Sequence, residues 1–261
     1  MLDTDRLPPV LTGKKALIIG VANDRSIAWG CASAMRKAGA DIAMTYLNER
    51  AKPHVEPLAK QVQAALFLPL EVRDPAQVDA VFDAVEKAWD RVDILVHSIA
   101  FAPKEALQGR VVDCGREGFL AAMDVSCWSF LDMARRAEPL MKHGGTMVTM
   151  SYLGANAVVD NYGIMGPVKA ALESAVRYVA TELGPKGIRV HAVSPGPLAT
   201  RAASGIKDFD DLMENVSARA PVRRLVTIEE VGAACVFLSS DYGAAMTGET
   251  LYVDGGYHIL G

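Results

Sequence analysis

Seven short apolar segments alternate with helical patterns along the chain, and this alternation restricts the possible folds more than any other feature. The predicted strands span residues 15–20, 41–46, 66–72, 93–98, 148–151, 189–194 and 249–254. Alternating strands and helices favour β-α-β units, in which crossover helices cover a parallel sheet. The sequence contains no internal repeat and no low-complexity linker. We therefore predict an α/β fold with one doubly wound, Rossmann-type parallel sheet of seven strands, in a single domain covering residues 1–261.

Helix signals mark the connections between these strands. Asp74, Pro75 and Gln77 are arranged as an N-cap, a first helical position and a capping partner, which predicts a helix to about Trp89. Further helices are predicted for residues 26–36, about 117–141 and about 161–183, and mainly after the prolines at 53 and 57. Residues 197–222 are too long for a simple turn and contain a helical pattern at 209–217. An insertion in this place is suited to a substrate lid.

The composition limits the classes of partner. With 261 residues, 51% hydrophobic and 22% charged, the chain can bury one sizeable core. Its net charge of −4 provides no basic field for nucleic acid, and no apolar run approaches the roughly 18 residues of a membrane span. The N-terminal segment is polar and contains prolines, unlike a signal peptide, and the four cysteines are scattered without the spacing of a metal site. We expect a soluble, cytoplasmic protein with a small-molecule ligand, and no metal, nucleic acid or membrane partner.

The segment between the first strand and the first helix is a candidate phosphate site. Gly20 and Gly30, with alanines at 22 and 28 and Ser26 at the predicted helix start, would let backbone amides approach a pyrophosphate, which the helix dipole favours. The spacing differs from G-x-G-x-x-G. By itself, the turn is equally compatible with a packing role.

Two tyrosines and a lysine form the candidate catalytic group. Tyr162 and Lys169 lie seven residues apart, which on one continuous helix would place them on one face, about two turns apart. Tyr152 follows the fifth predicted strand, at the sheet edge where ligand-facing residues collect. A tyrosine hydroxyl near an ammonium group can hold a developing oxyanion and transfer a proton. The alternative is an ordinary amphipathic helix with Tyr162 partly buried and Lys169 in solvent.

Several motifs together resemble those of one family. They are Gly20-x5-Ser26-Ile27-Ala28, His97-Ser98-Ile99, Tyr152-Leu-Gly154, Tyr162-x6-Lys169, the run from Ala202 to Phe209, and Val253-Asp-Gly-Gly256. From about Gly13 to Tyr257, the sequence resembles the NADH-dependent bacterial enoyl-[acyl-carrier-protein] reductases, a divergent branch of the short-chain dehydrogenase/reductase superfamily. Ordinary members of that superfamily carry Tyr-x3-Lys, whereas here Gly166 stands four residues after Tyr162.

The resemblance implies a site for NADH and its product NAD+. The implied cofactor-binding residues are Gly20, Ser26, Ile27, Glu71, Val72, Ile99, Lys169, Leu198, Ala199, Thr200, Arg201 and Ala202. In this interpretation the glycine turn contacts the pyrophosphate, Glu71 and Val72 contact the adenine, and Lys169 holds the nicotinamide ribose. Leu47 replaces a residue that is often polar in the family, and Glu71 replaces the usual aspartate.

The resemblance also implies the reaction, which is reduction of the C2=C3 double bond of trans-2-enoyl thioesters linked to acyl carrier protein, in fatty acid elongation. Hydride would pass to C3, Tyr162 would hydrogen-bond the carbonyl as it becomes an enolate, and C2 would then be protonated. Tyr152 would orient the substrate or assist, and Ala102 would line the acyl site. The family further implies a homotetramer that packs through the helices around residues 117–141 and 161–183.

Two other functions stay open at this stage. A ketone or 3-oxoacyl reductase could use the same fold, and a non-catalytic dinucleotide-binding protein would need the pocket alone. Retention of both tyrosines and Lys169 argues against the second, since a sensor needs no proton-donating hydroxyl. Pro167 lacks an amide donor and fits only near the first turn of a helix, so the alignment of Tyr162 with Lys169 depends on where that helix begins.

Charged residues near the predicted site give two further expectations. After the second strand, Glu49 would repel a 2′-phosphate whereas Arg50 could bind one, so a moderate preference for NADH over NADPH is predicted. The predicted lid is acidic. Docking of an acidic carrier is therefore predicted at basic residues outside the lid helix, namely Arg201, Arg219, Arg223 and Arg224.

Overall fold

The computed structural model describes residues 8–200 and 203–260, and its framework is one parallel sheet. The seven strands are β1 (Lys15–Ile19), β2 (Asp41–Tyr46), β3 (Leu66–Pro69), β4 (Ile94–His97), β5 (Gly145–Met150), β6 (Ile188–Pro195) and β7 (Thr250–Val253). Their order in the sheet is β3-β2-β1-β4-β5-β6-β7, and each neighbouring pair is parallel. The order reverses between β1 and β4, which is the switch point where doubly wound folds bind ligands. The predicted fold class is confirmed.

Helices cover both faces of the sheet. They are α1 (Ile27–Lys37), α2 (Lys52–Gln61), α3 (Pro75–Trp89), α4 (Lys104–Leu107), α5 (Arg116–Met123), α6 (Ser129–Ala137), α7 (Met165–Leu183), α8 (Phe209–Arg219) and α9 (Ile228–Ser239). One hydrophobic core lies beneath α1, α2 and α9, and the other lies beneath α3, α6 and α7. Within the described residues, no helix has both the length and the apolar character required to cross a bilayer.

The strand predictions hold in position but differ at the ends. Strand β2 has the predicted bounds, whereas β3 ends at Pro69 rather than at residue 72. Beyond Leu70 the chain turns, and the N–H of Asp74 donates to the carbonyl of Glu71 at 2.9 Å. The side chain of Asp74 then caps α3 by accepting from the backbone N–H groups of Ala76 and Gln77, as the sequence predicted.

Two predictions about prolines have different outcomes. Helix α2 includes both Pro53 and Pro57, so the expectation that they confine the helix to later residues was wrong. Pro53 occupies the first turn of the helix, where an N–H would have no intrahelical acceptor. Pro57 removes only one backbone hydrogen bond of the helix. Pro167 is the third residue of α7, which is the tolerated place.

The helix carrying Lys169 begins later than predicted. Helix α7 starts at Met165 and not near Asn161, because Asn161 and Gly163 have positive φ angles of 60° and 54° and form a turn. Tyr162 therefore precedes the helix, and the predicted two-turn alignment of Tyr162 with Lys169 was wrong. The predicted long helix around 117–141 is present, interrupted by a π-helical turn at Asp124–Trp128.

Helix α9 was not identified from the sequence, although its signal is clear. Thr227 and Glu230 form a capping box, with each side chain accepting from the other residue's backbone N–H. The helix crosses α1 at close range, and a Cβ added to Gly30 would lie 2.7 Å from the carbonyl carbon of Ile228. Gly30 is thus required by this crossing of α1 with α9, which is a packing role.

Candidate active site

The predicted site residues converge on one cavity of about 660 Å³ at the carboxyl ends of β1, β4, β5 and β6. Clefts of this size at the switch point of a doubly wound sheet hold small molecules and cofactors. A second cavity, of about 380 Å³, opens at the opposite ends of β5 and β6 and contains none of the predicted site residues. Of the predicted residues, the large cavity is lined by Gly20, Ser26, Ile27, Glu71, Val72, Ile99, Ala102, Tyr152, Tyr162, Lys169, Leu198 and Thr200.

Gly20 forms the floor of the cavity beside β4. Its φ angle is +106°, and an added Cβ would lie 2.7 Å from the carbonyl carbon of Ser98. Both the positive φ and the close contact exclude a larger side chain. Gly20 therefore has the packing role that the sequence left open for this turn. Its close contact with the residue after β4 brings the backbone of residues 20–22 to the edge of the cavity.

The start of α1 faces the same part of the cavity. Ser26 is the N-cap, but its Oγ donates to the carbonyl of Asn23 at 2.6 Å instead of capping the first turn. The N–H groups of Ile27 and Ala28 have no acceptor within the helix because they lie in its first turn. These donors and the helix dipole suit an anionic group such as a pyrophosphate.

Glu71 and Val72 line the end of the cavity near β2 and β3. The Glu71 carboxylate accepts from Nε and Nη2 of Arg73 at 3.1 and 3.0 Å, and this guanidinium lowers the pKa of Glu71. Arg73 also lines the cavity, although the sequence analysis did not include it. The Glu71 carboxylate is therefore already paired within the chain.

Lys169 is only 3% exposed to solvent. This burial excludes the alternative of a solvated lysine on an outer face of the helix. Its Nζ donates to the carbonyl of Met150, the last residue of β5, at 2.6 Å. Burial is the largest influence on this ammonium group and lowers the pKa of Lys169 to about 8, while Cys127 and Glu173 act in the opposite direction. An ammonium group has three donors, so two remain for a ligand.

The two tyrosines pack against each other in the cavity. The ring centroids of Tyr152 and Tyr162 are 4.8 Å apart, with the rings tilted by 56°. Burial raises the pKa of both hydroxyls well above the usual range, and each keeps its proton at neutral pH. A protonated phenol in a cavity can donate a hydrogen bond to an oxygen on which negative charge develops.

Gly154 determines the position of the Tyr162 ring. It lies in the 3₁₀ turn Leu153–Ala155, directly after Tyr152, and an added Cβ would come 2.6 Å from Cε1 of Tyr162. Only a residue without a side chain lets the turn lie flat on the ring. The positive-φ turn at Asn161 and Gly163 brings Tyr162 back to this contact, so chain reversal, and not helical spacing, places it beside Tyr152.

The remaining predicted residues differ in their placement. Ala199 is exposed and does not line the cavity, whereas its neighbours Leu198 and Thr200 do. Arg201 and Ala202 lie outside the described residues. The sequence analysis missed a group of apolar side chains that line the cavity and come from α4, α7 and the segment before and within α8. These are Leu107, Met165, Ile206 and Phe209. Ile206 and Phe209 belong to the motif from Ala202 to Phe209, which could have indicated them, whereas Leu107 and Met165 are apolar residues that fit a core equally well.

Comparison with known proteins identifies the same family as the sequence motifs do, over nearly the whole chain. The family described as Enoyl-(Acyl carrier protein) reductase matches residues 20–258. This chain belongs to the enoyl-(acyl carrier protein) reductase family. Enoyl-[acyl-carrier-protein] reductase [NADH] 1 of Rhizobium meliloti is 47% identical over 252 residues, which cover 97% of this chain and 93% of that relative.

Two further members of the enoyl-(acyl carrier protein) reductase family are close in sequence or structure. Enoyl-[acyl-carrier-protein] reductase [NADH] FabI of Escherichia coli is 45% identical over 250 residues, covering 95% of each chain. The crystal structure of the reductase from Anaplasma phagocytophilum in complex with NAD is 46% identical, with a TM-score of 0.94 and 98% of each chain covered.

The ionisable and polar side chains of the cavity limit the chemistry that it can support. In the described part of the chain, no group of three or more His, Cys, Asp or Glu side chains is arranged to hold a metal ion. Charge in the cavity comes from Lys169 and from the paired Glu71 and Arg73. The geometry therefore supports acid–base and hydrogen-bond chemistry at one end and anion binding at the other.

Proposed function

We propose that this chain reduces the C2=C3 double bond of trans-2-enoyl thioesters with NADH, as a step of fatty acid elongation. The observation that carries the proposal is the pair of protonated hydroxyls of the partly buried Tyr152 and the buried Tyr162, in the same cavity as the buried ammonium group of Lys169. A protein that only binds a dinucleotide does not need the two hydroxyls. Membership of the family supports the same conclusion.

The residues of the cavity fit NADH. The turn at Gly20 and the free N–H groups at the start of α1 suit the pyrophosphate, and the two unused donors of Lys169 suit the hydroxyls of the nicotinamide ribose. Ile99, Leu198 and Thr200 line the same cavity. When bound, the nicotinamide supplies the hydride that adds to C3 of the substrate.

Tyr162 stabilises the negative charge that forms during the reduction. As hydride adds to C3, charge develops on the thioester oxygen, and the Tyr162 hydroxyl donates a hydrogen bond to it. Because burial raises the pKa of Tyr162, the hydroxyl keeps its proton and acts as a donor. The enolate then takes up a proton at C2. Tyr152, in ring contact with Tyr162, orients the thioester, and Ala102 lines the acyl chain.

The position of the tyrosine favours this reaction over ketone reduction. In an ordinary Tyr-x3-Lys arrangement the tyrosine would stand at residue 165, four before Lys169, but Met165 occupies that place and lines the cavity. Tyr162 enters instead from the turn before α7. In an enoyl thioester the carbonyl group lies two carbons beyond the carbon that accepts hydride. A tyrosine hydroxyl displaced from its position in Tyr-x3-Lys enzymes therefore suits an enoyl substrate.

The test is oxidation of NADH, followed at 340 nm, with a trans-2-enoyl thioester. The control reaction uses a 3-oxoacyl thioester with the same acyl chain and the same carrier. We expect rapid oxidation with the enoyl substrate and little with the 3-oxoacyl substrate. Efficient reduction of the 3-oxoacyl thioester with none of the enoyl thioester would overturn the proposal.

We expect the chain to prefer NADH to NADPH. Glu49 accepts from the hydroxyl of Tyr46 at 3.2 Å and pairs with Lys52 at 3.5 Å, just after β2. This carboxylate lies where the sequence predicts repulsion of a 2′-phosphate. Higher kcat/KM with NADPH than with NADH would contradict this preference. If Arg50→Ala then lost the higher kcat/KM with NADPH, Arg50 would be identified as the phosphate ligand.

Residues 197–222 form the proposed lid, and acyl carrier protein is the proposed partner. Ile206 and Phe209 of this segment line the cavity, which supports a role in covering the acyl chain. Two of the predicted docking arginines, Arg223 and Arg224, are engaged within the chain. Arg224 pairs with Glu230 at 2.6 Å, and Arg223 donates to the carbonyl of Ala218. Charge-reversal variants at these arginines with an unchanged KM for the carrier-linked substrate would exclude docking there.

The proposed assembly is a homotetramer, and the proposed location is the cytoplasm. Large apolar side chains are exposed on the helices expected to pack between subunits, including Trp128 at 56% and Tyr178 at 70% exposure. Exposed apolar surface of this kind favours association. The four cysteines are free thiols, which is compatible with a reducing compartment.

A further inference from the structure

A carboxylate that the reaction steps above do not use is buried next to the candidate active site. Glu173 lies on α7, one turn after Lys169, and is only 4% exposed. Glutamate is almost never fully buried unless it is paired. A buried charge is costly unless other groups satisfy it by hydrogen bonds, so the partners of Glu173 indicate what it does.

Both oxygens of Glu173 accept hydrogen bonds from the segment that follows β5. The Oγ of Ser151 donates to Oε1 at 2.5 Å, and Nδ2 of Asn156 donates to Oε2 at 2.8 Å. Ser151 stands between Met150, whose carbonyl accepts from Lys169, and Tyr152. Two successive turns of α7 therefore hold two successive residues at the end of β5.

These bonds fix both ends of the segment Ser151–Asn156, which carries Tyr152 and contacts the ring of Tyr162. Tyr152 directly follows the bonded Ser151, and Asn156 directly follows the 3₁₀ turn Leu153–Ala155. Within that turn, Gly154 lies against the ring of Tyr162. A single carboxylate thus restrains the chain on both sides of Tyr152 and, through Gly154, supports the position of Tyr162.

Glu173 also supplies negative charge near the ammonium group of Lys169. The other titratable groups that interact with Lys169 are Cys127 of the π-helical turn and His97 of β4, and the two tyrosines line the same cavity. Burial raises the pKa of Cys127 and lowers that of His97 to about 3. Burial raises the pKa of the tyrosines as well. At neutral pH these groups are uncharged, so Glu173 is the neighbouring charge that favours protonated Lys169.

We propose that Glu173 is a positioning residue of the reductase, which holds the Ser151–Asn156 segment in place and keeps Lys169 protonated for cofactor binding. It acts through other residues and does not line the cavity. Its effect on turnover rests on the proposed function, whereas its effect on NADH binding does not. The two roles can be separated experimentally because one depends on hydrogen bonds and the other on charge.

The charge role is tested with Glu173→Gln, which keeps the shape of the side chain and removes its charge. The dissociation constant of NADH is measured by fluorescence between pH 6 and pH 10. Loss of the carboxylate lowers the pKa of Lys169, so the weakening of NADH binding at high pH should begin on the order of one pH unit lower than in the wild type. The matched control is Glu182→Gln, an exposed carboxylate on the same helix, which should leave the profile unchanged.

The positioning role is tested with Ser151→Ala and Glu173→Asp, both of which keep the negative charge. Ser151→Ala removes one hydrogen bond, and the shorter aspartate stretches both. We expect kcat to fall about tenfold or more, because small misplacement of catalytic groups is costly, while the pH profile of NADH binding stays like that of the wild type. If Glu173 had only a structural role, its substitution would lower the melting temperature. The variants would then not differ in the way expected here, with kcat reduced in one group and the pH profile of NADH binding shifted in the other.

The outcomes are decisive in each case. A folded Glu173→Gln protein with the wild-type kcat and the wild-type pH profile of NADH binding would overturn the proposal. If that variant does not fold, a wild-type kcat in both Ser151→Ala and Glu173→Asp overturns it. If wild-type protein binds NADH but does not reduce an enoyl thioester, the proposed function fails, and the NADH profile still decides the role of Glu173.

Discussion

At the scale of single residues, burial controls the chemistry of the candidate active site. Tyr152, Tyr162 and Lys169 are polar side chains in an environment that disfavours their charged forms, so the hydroxyls stay protonated and the ammonium group titrates at a pH of about 8. Exposed residues with the same spacing would have ordinary pKa values. Burial in the folded protein therefore keeps the hydroxyls neutral and brings the pKa of Lys169 close to neutral pH.

Tyr162→Phe should lower kcat by at least tenfold, since loss of an oxyanion donor can cost about 10² to 10³ in rate. The ring contact with Tyr152 is kept in this variant, so NADH affinity should not change. The measurement is steady-state kinetics with an enoyl thioester. Tyr178→Phe, at an exposed tyrosine on α7, is the matched control. Equal kcat values for the two variants would contradict the role of Tyr162.

Lys169→Ala should weaken NADH binding by about 1.5 to 3 kcal/mol, because it removes charge-assisted hydrogen bonds to the ribose. Lys87→Ala, at an exposed lysine on α3, is the control for loss of a positive charge. Isothermal titration with NADH measures both. An affinity close to that of the wild type would exclude a ribose contact for Lys169.

The wild-type protein should bind NADH less tightly as the pH rises above about 8. Lys169 has a pKa of about 8, below the ordinary lysine value, so its ammonium form is present below that pH and is lost as the pH rises through it. Bound NADH favours the charged form and moves the transition upward. Titrations from pH 6 to pH 10 should show the decline, and Lys169→Ala should show none. A wild-type affinity that stays constant to pH 10 would disprove this dependence.

At the scale of elements, glycines set the distances between the segments that build the site. The turn with Gly154 lies against the ring of Tyr162, and α1 crosses α9 at Gly30. In both places an added Cβ would come within 3 Å of a neighbouring group, so one of the two segments would have to shift. The first contact positions a catalytic group, whereas the second positions the helix whose first turn faces the cofactor.

Gly154→Ala should displace the ring of Tyr162 and lower kcat, with little change in NADH affinity because the cofactor contacts lie elsewhere. The added methyl group would come 2.6 Å from Cε1 of the ring, so the ring must move. Gly184→Ala is the control, since an added Cβ there has no neighbour within 4 Å. Enoyl reduction at saturating NADH reports the difference. Activity like that of Gly184→Ala would show that the ring does not need this glycine.

At the scale of the whole molecule, the strand order brings distant parts of the sequence to one edge of the sheet. The cavity takes residues from the turn after β1, the ends of β4, β5 and β6, and the segment 198–209. Parallel strands place all of their carboxyl ends on the same side, so one cavity collects side chains that are far apart in sequence. Apolar side chains left on the outer helices favour association of several copies.

In solution, the molecular mass should be about four times the 27.9 kDa of one chain. Light scattering after size-exclusion chromatography measures it directly. Trp128→Glu places a charge within the exposed apolar surface and should shift the mass towards smaller species, since burying an unpaired charge in an interface is costly. A single species with the mass of one chain in the wild type would disprove the tetramer.

The sequence by itself determined the sheet, the family and twelve of the residues that line the cavity. Strand periodicity and the Asp74 cap are local signals, and parallel strands leave little choice of topology, so the fold followed from them. The extent of α2 and the start of α7 did not follow, because prolines are tolerated according to their position in a helix and because the positive φ of Asn161 has no certain local signal.

The tertiary structure alone decided how the catalytic group is assembled. Helical spacing suggested that Tyr162 and Lys169 share a face, but the observed contact depends on a turn folding back over Gly154. It also decided that Gly30 serves a helix crossing and that Glu173 is buried with Ser151 and Asn156 as partners. These are contacts between segments distant in sequence. Their geometry depends on packing of the whole domain, and no local pattern records it.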